Sequence, residues 1–274
     1  MQLPSIGLGL LIAAAAFAAL TSGARAANAG LWDTCNGKDA HAAISACSQI
    51  LAGKETPENQ AVALSNRGHA YHTIGESDRA LADLTRAIEL NANRAAAFSN
   101  RSDVYYSKGD YDRAIADATS AIELDPTDAY TFIRRSGAYD GKGDYDHAIA
   151  DETRAIELEP TVAIFFNARG MSYADKGEHD RAIADFTQAI ELDPSFAYAL
   201  YRRGVAYSKT GKRDLARVDF EKALQLNPDD ERAKTALAEI ERTETSPQQK
   251  SAGAPAPSSP PPDLGDLQDL GTLD

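Results

Sequence analysis

Few side chains in this sequence have a spacing suited to chemistry. His69 and His72 stand three residues apart, an interval that puts both on one face of a helix, where a pair can hold a metal ion. No third ligand is evident, so they read as groove or surface residues and no metal site is expected. Cys35 and Cys47 are the two cysteines. No C-x-x-C and no Cys/His cluster accompanies them, which leaves a disulfide or two buried thiols in a helical pair. Asp and Glu number 41 against 28 Lys and Arg, but they recur at fixed intervals and read as solvated faces and helix caps, not as an acid/base pair. There is no phosphate loop, no G-x-G-x-x-G, no C-x-x-C-H and no nucleophile elbow. No catalytic residue and no cofactor is expected.

The elements that must position these residues follow a fixed period. Gly75, Gly109, Gly143, Gly177 and Gly211 are each 34 residues apart, and so are Tyr71, Tyr105, Tyr139, Tyr173 and Tyr207, and Ala80, Ala114, Ala148, Ala182 and Ala216. A period of this length means stacked supersecondary units, each burying its apolar face against a neighbour. Five units fit: 61–94, 95–128, 129–162, 163–196 and 197–230. Each reads as helix, glycine turn, helix and a link that usually contains Pro. In the second unit the helical spacing runs over 95–108, Gly109 ends the helix and Asp110 caps the next one. That next helix puts Ala114, Ile115, Ala118, Ala121, Ile122 and Leu124 on one apolar face. Pro126 stops it, and Thr127 or Asp128 can cap the following helix.

Two further series keep the same period. Arg67, Arg101, Arg135, Arg169 and Arg203 recur in the first helix, and Asp83, Asp117, Asp151, Asp185 and Asp219 in the second. Their offset predicts an Arg–Asp contact between the antiparallel helices of each unit, a structural ion pair. The third unit departs from the pattern. Glu152 falls on the packing seam, where a carboxylate is costly unless exposed or paired. Gly137 and Gly141 weaken its first helix by about 1 kcal/mol each relative to Ala. The unit 129–162 is therefore expected to be the softest.

These units resemble tetratricopeptide repeats. The resemblance rests on the large residue at Leu64, Phe98, Phe132, Phe166 and Leu200, the small one at Gly68, Ser102, Ser136, Gly170 and Gly204, the Tyr and Ala series, and the Pro at 126, 160, 194 and 228. It implies an all-α fold, a helix-turn-helix solenoid wound as a right-handed superhelix. It also implies a concave groove lined by the second, fifth, ninth and twelfth positions of each first helix. Among those positions Tyr106, Tyr130, Ile133, Ile164, Asn167, Met171, Tyr198, Tyr201 and Val205 are the candidate peptide-binding residues, with aromatic and aliphatic anchors suited to an extended peptide or a partner helix. Lys is absent from the groove positions, so the family's carboxylate-clamping form is not expected.

The ends of the chain differ from the repeats. Residues 1–26 read as a signal peptide: an apolar run over 6–20 followed by Ala24-Arg25-Ala26. No Lys or Arg precedes the run, so an uncleaved membrane anchor is the alternative. Export favours the Cys35–Cys47 disulfide and implies a periplasmic or secreted protein, with no stable membrane insertion after cleavage. Residues 27–60 read as a degenerate N-terminal repeat, because 43–50 echoes the second helix of later units. Residues 231–245 read as a capping helix, with Ala233, Leu237 and Ile240 at helical spacing. Residues 246–274 read as a disordered Pro-rich acidic tail, ending in a stretch that alternates acid and Leu over 263–270; that stretch is either solvated or a docking motif. A net charge of −13 with no basic stripe argues against nucleic acid as a partner. The expected function is a non-enzymatic scaffold whose partner is a protein or peptide. The alternative is a structural, self-associating envelope assembly factor.

Overall fold

A computed structural model describes residues 29–245. The expected signal segment 1–26 and the acidic tail 246–274 lie outside the described residues. Among the described residues the chain is helical throughout, with no strand. A short helix at 29–35 (α1) and Ala40–Ala52 (α2) precede five helix pairs. These are Pro57–Thr73 (α3) with Ser77–Leu90 (α4), Ala95–Ser107 (α5) with Tyr111–Leu124 (α6), Ala129–Gly141 (α7) with Tyr145–Leu158 (α8), Ala163–Asp175 (α9) with His179–Leu192 (α10), and Ala197–Lys209 (α11) with Arg213–Leu226 (α12). Glu231–Thr245 (α13) closes the series. Each helix packs on its neighbours in sequence, so the fold is an all-α helical repeat solenoid. No helix of the described residues is long and apolar enough to cross a membrane.

Local signals explain the boundaries. The five turn glycines have φ between 73° and 90°, a left-handed conformation that ends each first helix without a Cβ clash. Asp110 then accepts from the Arg113 amide and Asp144 from the His147 amide, while Asp128 accepts from the Tyr130 amide. Leu124, read as part of the apolar face of α6, is exposed, because α6 ends there and the extended link begins.

Packing within a pair is a matching of volumes. A Cβ added at Gly68 would lie 2.7 Å from Leu84, at Gly170 2.7 Å from the Phe186 ring, and at Gly204 2.6 Å from the Phe220 ring. Glycine is what lets these large side chains reach the first helix. Where the first helix carries Ser instead, the partner is not a large apolar group: Ser102 stands with Ala118 and Ser136 with Glu152. The seam is otherwise built of fully buried Ala, from Ala80 to Ala216, and the core divides into small successive clusters, not one centre.

All five expected Arg–Asp pairs form, and each is bidentate. Arg Nε meets Asp Oδ2 at 2.6–2.8 Å and Arg Nη2 meets Oδ1 at 2.7–2.9 Å. The remaining guanidinium nitrogen donates to a hydroxyl on the preceding second helix: Thr85, Thr119, Thr153 or Thr187, at 3.0–3.2 Å. Arg67 does the same to Ser48 of α2 at 3.0 Å, so α2 serves the first pair as a second helix serves the next. Each arginine thus ties three helices, and burial of the Asp makes the geometry specific. Cys35 and Cys47 are joined in a disulfide that holds α1 onto α2, within a cluster of Ile50, Ala63 and Trp32.

Candidate functional site

Successive first helices touch one another, α3 with α5, α5 with α7, α7 with α9 and α9 with α11, and no comparable contact joins the second helices. The array is therefore curved with its first helices on the inside. Polar bonds knit this inner face. Arg134 reaches Asp103 at 2.8 Å, Ser99 and Thr131 lie 3.0 Å apart, and Asn100 donates to Ser65 at 3.4 Å.

The candidate residues separate into spacers and surfaces. Tyr106, Tyr130 and Ile164 are half exposed, at 48%, 48% and 51%. Ile133, Met171, Tyr198, Tyr201 and Val205 are half-buried. Asn167 is only 6% exposed; its amide points to Met171 Sδ at 3.5 Å. Ser65 and Ser99 at the same helical position are buried as well, because this position faces the adjacent first helix and spaces it. Gly137 leaves room for Tyr106, whose ring would lie 3.7 Å from an added Cβ. Tyr130 makes an edge contact with Phe165 at 5.1 Å.

The structure gathers Tyr198, Tyr201 and Val205 at the C-terminal end. Tyr198 and Tyr201 rings are 6.2 Å apart, and the Arg232 guanidinium lies 5.1 and 5.3 Å from their centroids. Asp230 holds that guanidinium at 2.9 Å. Beside them, α11, α12 and α13 line an open cavity of about 700 Å³ whose lining includes Tyr201, Val205, Phe220, Arg232, Thr235 and Ile240. Tyr106 and Tyr130 are not part of it. The α13 wall was missed in the sequence, where α13 read only as a cap. Counting the 34-residue period once more finds it: Arg232, Thr235 and Glu239 fall on the second, fifth and ninth positions of a further first helix. A smaller, polar hollow of about 370 Å³ at the other end is lined by Asn36, Asn66, His69, Asn100 and Arg134. Burial lowers the pKa of His69, and no group of three His, Cys, Asp or Glu able to hold a metal occurs among the described residues.

The seam carboxylate Glu152 is buried in an acid cluster whose other members, Asp140 of the same unit and Ser172 of the next, the sequence did not bring to it. Glu152 is 1% exposed, and its Oε1 lies 2.9 Å from Ser172 Oγ. The same hydroxyl lies 3.1 and 3.0 Å from the two oxygens of Asp140. Desolvation pushes Glu152 up to about 8, reinforced by the Asp140 charge, and pushes Asp140 up to about 6. One Ser172 hydrogen cannot serve two carboxylates. A protonated Glu152 resolves this by donating to Ser172, which donates to Asp140.

Family models match part of the array. One described as TPR repeat matches residues 170–211, and two described as tetratricopeptide repeat match 66–129 and 197–230. Residues 66–129 and 170–230 of the solenoid are thus similar to tetratricopeptide repeats. These three matches skip 130–169, the stretch that holds Glu152, Gly137 and Gly141. No curated protein matches the sequence. Among solved structures, YrrB, described as a TPR protein with an unusual peptide-binding site, is 25% identical with a TM-score of 0.57, over 70% of this chain and 98% of its own. MamA is 28% identical with a TM-score of 0.55, over 59% of this chain and 94% of its own. A thermophilic TPR protein of Thermus thermophilus, at 23% identity and a TM-score of 0.53 over 65% and 97%, shares the fold. Tetratricopeptide repeats are typically interaction modules without catalysis.

Proposed function

We propose that this repeat array is a non-enzymatic scaffold that holds a protein segment on its inner face. The observation that carries the reading is the cavity between α11, α12 and α13, where an apolar floor meets cationic side chains beside two tyrosines that share Arg232. Tyr198, Tyr201 and Val205 are the anchors, and Tyr106, Tyr130, Ile133, Ile164 and Met171 extend the surface toward the N-terminal end, with Asn167 as a spacer. The likeness to YrrB, whose description names a peptide-binding site, supports the reading. We further propose that residues 1–26 direct export to the periplasm or beyond and that 27–60 and 231–245 cap the five units. The buried disulfide supports an oxidising compartment.

The test is selection of binding segments from a displayed peptide library. Selected segments should lose about ten-fold or more in affinity for Tyr198→Ala and Tyr201→Ala, the loss expected when an aromatic anchor is truncated. Affinities unchanged in both variants would overturn the reading.

A second reading, self-association, has one observation of its own. Leu215 and Val218 on α12 are 49% and 59% exposed, where every other unit carries Arg or His and Ala. Sedimentation of the parent chain and of Val218→Glu tests it: a shift from dimer to monomer supports it, and a monomeric parent refutes it.

A further inference from the structure

The cavity at the C-terminal end of the array has a charge that the rest of the chain does not prepare for. The chain carries a net charge of −13, yet Lys209, Arg213 and Arg232 stand around this cavity against Glu231 and Glu239. Glu231 is engaged by Lys234 at 2.8 Å and Arg232 by Asp230 at 2.9 Å, which lowers the weight of both in the local field. Between the cations lies an apolar floor of Val205, Phe220 and Ile240. The complementary ligand is an acidic segment with regularly spaced aliphatic side chains.

The chain itself contains such a segment. From Asp263 the sequence runs Asp-Leu-Gly, Asp-Leu-Gln, Asp-Leu-Gly. Leu264, Leu267 and Leu270 recur every third residue, which keeps them along one side of a helical turn or of an extended three-fold helix, with Asp263, Asp266 and Asp269 displaced beside them. Residues 246–262 can span up to about 56 Å at about 3.3 Å each. The wall formed by α13 from Glu231 to Thr245 is only about 21 Å long at about 1.5 Å per residue. The segment therefore reaches the whole cavity from the end of α13.

We infer that Asp263–Leu270 docks in the cavity between α11, α12 and α13, with its leucines on the Val205, Phe220 and Ile240 floor and its aspartates toward Lys209, Arg213 and Arg232. The chain's own tail is then the resident occupant of its binding face, and a partner must displace it. This rests on the groove reading proposed above. A covalent tether of this length gives an effective concentration of about 1 mM. A segment that binds in trans with a Kd of about 0.1 mM is then about nine-tenths docked, and a competitor for the same cavity binds about ten-fold more weakly than to an open site.

The experiment compares the full chain with its Leu264→Ser, Leu267→Ser, Leu270→Ser variant. The probe is a labelled synthetic peptide of residues 261–274, followed by fluorescence anisotropy. It should bind the variant, bind the parent about ten-fold more weakly, and lose several-fold on the variant when Lys209→Glu is added. A photo-crosslinker placed at residue 267 of the full chain should attach within residues 201–240 in the monomeric species. Equal affinity for parent and variant, or crosslinks confined to pairs of chains, would overturn the inference. Library-selected segments separate this failure from that of the groove reading. If they depend on Tyr198 and Tyr201 but bind parent and variant equally, the groove stands and the docked tail falls. If they ignore both tyrosines, the groove reading falls with it.

Discussion

Glu152 gives the sharpest prediction. It occupies the seam position where Leu84, Phe186 and Phe220 pack in other units, and it does so as a buried acid. Burial raises its pKa from the ordinary 4.5 to about 8 in the folded chain. A raised carboxyl contributes its full stability only below the unfolded value, and that contribution is lost as pH rises from 4.5 through 8. Each pH unit in that window costs about 1.4 kcal/mol, so about 3 kcal/mol is lost by pH 7. Asp140, raised to about 6 by burial, adds to the loss with the same sign. Glu152→Gln keeps the shape and can donate to Ser172 but cannot ionise. Urea titrations followed by circular dichroism, at intervals from pH 5 to pH 8.5, should show the parent midpoint falling steadily. The Gln variant should fall much less and exceed the parent most above pH 7. Midpoints of parent and variant that run parallel across the range would refute the reasoning. A second variant, Ser136→Gly with Glu152→Phe, copies the fourth and fifth units. It should stabilise the array by about 2 kcal/mol at neutral pH, the removed cost of protonating the acid on folding outweighing about 1 kcal/mol for a helical glycine.

Other expectations follow from the packing. Gly170→Ala forces a Cβ to within 2.7 Å of the Phe186 ring and should lower stability by about 1–3 kcal/mol, whereas Gly137→Ala meets only an ordinary contact with Tyr106 and should raise it by up to about 1 kcal/mol; thermal denaturation of both variants checks the contrast. Asp185→Ala strands the Arg169 guanidinium and should cost about 2–3 kcal/mol, less than a fully buried pair because Arg169 stays partly solvated; the Arg169→Ala, Asp185→Ala double variant should cost less than the sum of its parts. Reduction of Cys35–Cys47 should remove about 3 kcal/mol from the first helices only, seen as an earlier change in Trp32 fluorescence while the remaining helical signal unfolds as before. Amide exchange should be faster in α7 and α8 than in α9 and α10, the order expected from Glu152 and the two glycines of that unit.

Much of the architecture was legible because it is periodic. The 34-residue spacing of Gly, Tyr and Ala, with the Arg and Asp series, is a local pattern repeated five times. Helix, turn and helix follow from it residue by residue, and the Arg–Asp bonds follow from the antiparallel pairing. The site was less legible. Family positions marked Asn167 as groove-lining, but its side chain is buried, with its amide on Met171 of the same helix, where curvature brings first helices together. The α13 wall escaped notice because its residues vary, and only the spacing, carried one unit further, points to Arg232 and Thr235.

The seam shows most plainly where sequence stops and tertiary structure begins. Sequence alone established that Glu152 stands where other units carry Leu, Ala or Phe. It also established the units, the charge balance and the Arg–Asp register, because each depends on residue type and interval alone. The tertiary structure decided that Glu152 is sealed from water against Ser172 and Asp140, and that α11, α12 and α13 together line one open cavity at Tyr201. Burial and the lining of a cavity depend on how closely elements distant in sequence approach one another, and no interval along the chain measures that distance.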